Sequence, residues 1–77
     1  DSKIDLLMEA VKNLPVKCQQ VLVAICFNEK KYKDVAEEMQ VSVNTVKTQL
    51  ARALKLLRKG LNKEDFELFL TFFVFSC

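Results

Sequence analysis

Histidine and tryptophan are absent from this chain of 77 residues, and glycine and proline occur once each. Without an imidazole there is no Ser-His-Asp triad, no common zinc ligand set and no side chain that titrates near neutral pH by default. One Gly and one Pro cannot supply the tight turns of a β-rich fold this short, and collagen-like or low-complexity classes are excluded by the same composition. The three cysteines, Cys18, Cys26 and Cys77, are odd in number and lack CxxC spacing, which argues against a disulfide framework and against a metal site. Cys18 and Cys26 sit in an apolar helical stretch, where a free thiol behaves as a small buried hydrophobe suited to a reducing compartment. Long apolar runs are missing too. The longest uncharged stretches, Cys18–Asn28 and Leu68–Cys77, reach about half of the roughly 20 residues a membrane span needs. No signal peptide is visible, and the opening Asp1-Ser2-Lys3 without an initiator Met is what a fragment or a processed chain would show. A cytoplasmic, non-enzymatic protein with no metal and no cofactor is expected, since no carboxylates, thiols or glycines are grouped for chemistry.

What is present is 51% apolar and 29% charged residues, a globular and helix-leaning composition. A domain of this size buries about 60% of its unfolded surface, so its stability should be a few kcal/mol. The net charge of +2 hides a strong asymmetry. Residues 1–40 carry six basic and seven acidic side chains, whereas residues 41–63 carry six basic ones (Lys47, Arg52, Lys55, Arg58, Lys59, Lys63) and no acid. A merely solvated helix face usually intersperses acids for i,i+4 pairing; a basic segment in a nearly neutral chain points to a polyanionic partner.

Periodicity divides the chain into helices. Ile4, Leu7, Met8 and Val11 predict a first amphipathic helix, broken at Leu14-Pro15. Val21, Leu22, Ile25 and Cys26 form the stripe of a second helix, ending near Phe27, and Asn28–Lys31 is a polar connection. A short third helix is predicted from about Tyr32 to Met39, with Val35, Ala36 and Met39 inward. Gln40-Val41-Ser42 makes a tight turn into a long fourth helix, capped by Ser42 and running from Val43 to about Lys59, with Gly60 placed to end it in the left-handed conformation. On that helix Val43, Val46, Leu50, Ala53, Leu54, Leu57 and Leu61 share one face, while Asn44, Thr45, Thr48, Arg52, Lys55 and Lys59 share the other, with Lys47 and Gln49 at its edges.

Two short helices joined by a three-residue turn, the second basic on its outer side, are the ingredients of a helix-turn-helix. Ala36 supplies the small residue at the crossing, Val41 the apolar plug of the turn, and Val46 the anchor of the second helix. That helix would lay its polar N-terminal face in the major groove of duplex DNA, with Lys and Arg further along meeting phosphates. The fold class expected is all-α: a small bundle of four helices plus a C-terminal apolar helix, containing this helix-turn-helix. Residues 1–61 form the helix-turn-helix domain and residues 62–77 an apolar, helical tail.

The stretch from Leu14-Pro15 to Arg58 resembles region 4 of the extracytoplasmic-function sigma factors of bacterial RNA polymerase. The resemblance lies in Leu14-Pro15 followed by Val21-Leu22, then Tyr32-Lys33-Asp34-Val35-Ala36-Glu37, Val41-Ser42-Val43-Asn44-Thr45-Val46-Lys47 and Arg52-Ala53, and covers about 45 residues. It implies a domain that reads the promoter −35 element with its fourth helix and docks on the β-flap of RNA polymerase, with an anti-sigma factor as a further partner. Carried over by position, the base-reading and groove-facing residues are Asn44, Thr45, Lys47, Thr48, Gln49 and Arg52, and the phosphate-facing ones are Lys31, Lys33, Ser42, Lys55 and Arg58, the last with a solvated edge position as its alternative. Tyr32 matches the family's aromatic, either as a packed ring or as a phosphate-bonding hydroxyl. The chain departs from the family at Glu29 and Gln40, where Gly is usual and positive φ would cost a side chain about 1 kcal/mol, and at Gln49 and Ala51, so the base preference is expected to differ.

Five of the six Phe lie in the last twelve residues, and Phe66, Phe69, Leu70 and Phe73 have helical spacing. A fifth helix packed on the bundle is expected, with self-association through residues 66–75 as the sharper reading. Two rivals to the sigma reading remain at this point. One is the DNA-binding output domain of a response regulator, which shares the Ser-x-x-Thr-Val-Lys pattern; the other is a sigma-like interaction module that binds a regulator and not DNA.

Overall fold

Leu14-Pro15 sets the first corner of the fold. In the computed structural model, which describes residues 2–71, α1 (Ser2–Lys12) ends just before it and α2 (Val16–Leu22) starts just after it. Pro15 adopts φ −53° and ψ 146°, an extended geometry that its ring permits, and its carbonyl accepts the first helical hydrogen bond from Gln19 N–H at 2.9 Å. Leu14 buries its side chain at the corner.

α2 continues without a break into a π-helical stretch, Val23–Phe27, whose wider turn lets Asn28 N–H reach the Val23 carbonyl at 3.0 Å. The chain then reverses at Glu29, φ 56°, and α3 (Tyr32–Met39) follows with the boundaries expected from its periodicity. α3 closes on Gln40 in the left-handed conformation, φ 57° and ψ 46°. There Gln40 N–H donates to Glu37 and Val41 N–H to Ala36, the paired bonds of a Schellman motif, and Val41 packs on the core. Glu29 and Gln40 are the non-glycine residues with positive φ among the described residues, and they are the two positions expected to carry that cost.

α4 (Val43–Gly60) is the spine on which α1, α2, α3 and α5 (Lys63–Phe69) all pack. Its acid-free sequence gives it one buried row, Val46, Leu50, Ala53 and Leu57, against α2 and α3. Leu7 and Val11 of α1, Cys18, Val21 and Leu22 of α2, and Val35 and Ala36 of α3 close the same core. Each fully buried Leu or Val removes enough apolar surface from water to contribute about 1.5–3 kcal/mol. α5 adds Phe69, which is fully buried, and a hydrogen-bonded start: Asn62 Oδ1 accepts from Asp65 N–H at 2.8 Å. The expected helical tail is thus helix through Phe69; Phe72, Phe73, Val74, Phe75 and Cys77 lie outside the described residues.

Four expectations are corrected. Ile4 and Val43, assigned to inward stripes, stand in the first turns of their helices and are exposed. Ile25, within the π-helical stretch, is half-buried and packs against the core rather than lying inside it. Gly60 does not turn left-handed. It stays helical, Leu61 N–H still donates to the Leu57 carbonyl at 2.9 Å, and the chain leaves through an extended Leu61, φ −110° and ψ 150°, whose buried side chain fixes the exit.

Candidate nucleic-acid interface

The α3–turn–α4 unit is built from the residues outward. Ala36 and Val46 are buried where the helices cross, and the absence of a large side chain at Ala36 lets them approach. Ser42, extended at φ −75° and ψ 159°, accepts from Thr45 N–H through its hydroxyl at 3.1 Å, and the two hydroxyls are 3.0 Å apart. This cap holds the first turn of α4 at a defined angle to α3 and leaves its outer side to solvent.

On that outer side Asn44, Lys47, Thr48, Ala51, Arg52, Lys55, Arg58 and Lys59 are all exposed. At about 100° per residue Asn44, Thr48, Arg52 and Lys55 follow one ridge, with Lys47 and Arg58 on one flank. Lys59 belongs to the same ridge as Arg52 and Lys55, although it is not among the candidates named from sequence. Short polar side chains occupy the N-terminal half of the ridge and cations the C-terminal half, where they also complement the helix dipole.

Two of the expected groove residues are engaged within the fold. Thr45 is half-buried and shares its hydroxyl with the cap. Gln49 is half-buried, and its Oε1 accepts from the Cys18 thiol of α2 at 3.1 Å. No spacing rule signals that contact, because the partners are 31 residues apart.

Lys31 and Lys33 are exposed at the start of α3, beside Tyr32, whose ring faces the Lys47 ammonium at 6.0 Å from its centroid. Tyr32 is 37% exposed, so it is an open ring beneath a cation rather than a packed one. The neighbouring Lys30 is turned the other way: its ammonium pairs with Glu38 at 2.7 Å. The three cations Lys31, Lys33 and Lys47 thus lie about the first turn of α3 while Lys30 is held apart.

A second surface is apolar. A groove of about 420 Å³ lies between α1 and the end of α4, lined by Leu6, Ala10, Leu14, Leu56 and Leu61 among others, and Leu6 is 47% exposed. No helix among the described residues is long and apolar enough to cross a membrane, and no group of three or more His, Cys, Asp or Glu there could hold a metal ion.

Comparison with known proteins agrees with this geometry. The family model described as sigma-70, region 4 matches residues 4–57, which span α1, α2, α3 and most of α4 and include every candidate residue except Arg58. The RNA polymerase sigma factor SigV of Bacillus subtilis (strain 168) is 42% identical over 59 residues, covering 77% of this chain and 36% of that relative. The chain therefore spans little more than a third of the length of the curated relative it matches. No solved structure gives a significant match.

Proposed function

The chain belongs to the sigma-70 region 4 family, and from that premise we propose that it is the promoter-reading part of a transcription initiation factor, non-enzymatic in itself, which recognises the −35 element of duplex DNA and docks on RNA polymerase. The response-regulator alternative gives way to the family match. The observation that carries the reading is the outer ridge of α4: small polar groups at its capped N-terminus, cations behind them and no acid along its length.

Asn44 and Thr48 reach base edges in the major groove, and Arg52 has the length and the forked donors to engage guanine O6 and N7. Thr45 keeps the first turn in place through the Ser42 cap. Lys31, Lys33, Lys55 and Arg58 neutralise phosphates and set the register, as does the cap itself through the amide groups it orients. Lys47 does so from above Tyr32. The groove between α1 and the end of α4 supports docking on the β-flap, or on an anti-sigma factor that competes for the same apolar surface.

Selection from a pool of random duplexes at low salt tests this reading. Enrichment of one short motif by the wild-type chain, lost in Arg52→Ala, is the expected result. Uniform binding that only decays with salt would turn the reading towards an interaction module whose basic face merely tracks phosphate.

A further inference from the structure

The Gln49 carboxamide on α4 is committed at one end. The Cys18 thiol, itself 2% exposed, donates to Gln49 Oε1 at 3.1 Å. The amide nitrogen at the other end has no hydrogen-bond partner among the described residues. No buried side-chain nitrogen or oxygen there lacks a partner, so this nitrogen lies at the surface. By helical position Gln49 lies at the edge of the ridge that carries Thr48 and Arg52.

A free glutamine reads adenine with both ends, its oxygen accepting from N6–H and its nitrogen donating to N7. With the oxygen turned inward, only donors face the groove. Two amide N–H groups find two acceptors at guanine, O6 and N7, one at thymine, O4, and one at adenine, N7, where the N6 amino group is a competing donor; cytosine offers them only its N4 donor. We propose that Cys18 is a positioning residue for sequence recognition: by holding the Gln49 carboxamide in one orientation, it denies adenine the two-ended pair and makes Gln49 favour guanine over adenine at one position of the −35 element. The proposal rests on the promoter-reading role argued above.

Cys18→Ala removes the donor and releases the carboxamide, which can then turn to present both ends. Cys18→Ser keeps a donor in the same place. The test is the same random-duplex selection, run with the wild-type chain, Gln49→Ala, Cys18→Ala and Cys18→Ser, each first checked for its helical circular dichroism. The position whose preference collapses in Gln49→Ala is the one Gln49 reads. There the wild type and Cys18→Ser should favour guanine over adenine, and Cys18→Ala should raise adenine about five-fold or more relative to wild type, the lower end of what a bidentate amide–adenine pair discriminates. Preferences at the other positions should stay unchanged, which a general loss of packing would not produce.

An enriched motif in which wild-type Gln49 already reads adenine, or in which Gln49→Ala alters no position, overturns the proposal while leaving promoter reading intact. So does an unchanged preference in Cys18→Ala. If Cys18→Ala does not fold, a shift towards adenine in Cys18→Ser contradicts the proposal, and retention of the preference for guanine over adenine in Cys18→Ser but not in Cys18→Val supports it. Failure to enrich any motif with the wild-type chain defeats the promoter-reading role itself.

Discussion

Lys3 on α1 and Asp65 on α5, 62 residues apart in sequence, meet at 2.7 Å between ammonium and carboxylate. Asp65 is a buried charged side chain, while Lys3 is about half exposed. The pair ties the first helix to the last across α4, and Asn62 orients the other side of the contact by accepting from the Asp65 amide. A buried carboxylate that loses its partner keeps its desolvation cost. Lys3→Ala should therefore destabilise the chain by about 1–2 kcal/mol, more than a typical exposed pair would. A double-mutant cycle with Asp65→Ala, read by urea denaturation, should return a coupling of at least about 0.5 kcal/mol. Zero coupling would mean that the ion pair adds nothing to the apolar packing of α5, in which Phe66, Leu68 and Leu70 join Phe69.

Backbone conformation gives a pair of opposite expectations for glycine. Gln40 and Glu29 hold positive φ with a side chain attached, so Gln40→Gly and Glu29→Gly should each raise stability by about 0.5–1 kcal/mol. Gly60 is helical, and a Cβ built there meets nothing within 4 Å. Gly60→Ala should then also stabilise, by up to about 1 kcal/mol. Denaturant midpoints of the three variants settle the matter; a loss in Gly60→Ala would reveal a left-handed residue after all.

Ser42 connects stability with recognition. Ser42→Ala removes the acceptor for Thr45 N–H and the hydroxyl partner of Thr45, and should cost about 1 kcal/mol. Fraying of the first turn moves Asn44 and Thr48, so affinity for a selected duplex should fall further than the loss of one phosphate contact explains. Ser42→Asp should retain the cap but repel DNA. The two variants thus separate in thermal denaturation and in duplex binding, and parallel behaviour in both assays would show that the cap does not shape the reading face.

Phe69 is the part of the C-terminal segment that the core depends on. It is fully buried, and Phe69→Ala should cost about 3–5 kcal/mol, a large share of what a domain this small possesses. Unfolding followed by circular dichroism should show a single destabilised transition. If Phe69→Ala proved neutral, α5 would be an appendage to the bundle rather than part of it.

Much of the fold can be read along the chain because local rules agree with one another. Tyr32–Met39 and the start of α4 at Val43 follow from apolar spacing, the polar residues between helices and the Ser42 cap. Glu29 and Gln40 stand out only through the family resemblance, which implies Gly at both places, and both take positive φ. The π-helical turn at Val23–Phe27 is invisible to a 3.6-residue period, and Ile25 within it packs against the core only half-buried. Gly60 misleads because a glycine near a helix end signals a left-handed stop, whereas here the buried Leu61 determines the exit. Contacts between distant residues, Cys18 with Gln49 and Lys3 with Asp65, have no local signature. The outward ridge of α4 is legible as charge and period; the commitment of Thr45 and Gln49 to contacts within the fold is not.

The most direct measurement is the ratio of affinities for a selected duplex and its scrambled counterpart, titrated from low to moderate salt with the wild-type chain, Arg52→Ala and Lys55→Ala. A sequence reader anchored by phosphates should show a ratio well above one for the wild type and for Lys55→Ala, with the salt slope of Lys55→Ala reduced by about one. Arg52→Ala should bring the ratio close to one. A wild-type ratio near one at every salt concentration, or one that Arg52→Ala leaves unchanged, would contradict recognition of promoter sequence by the outer face of α4.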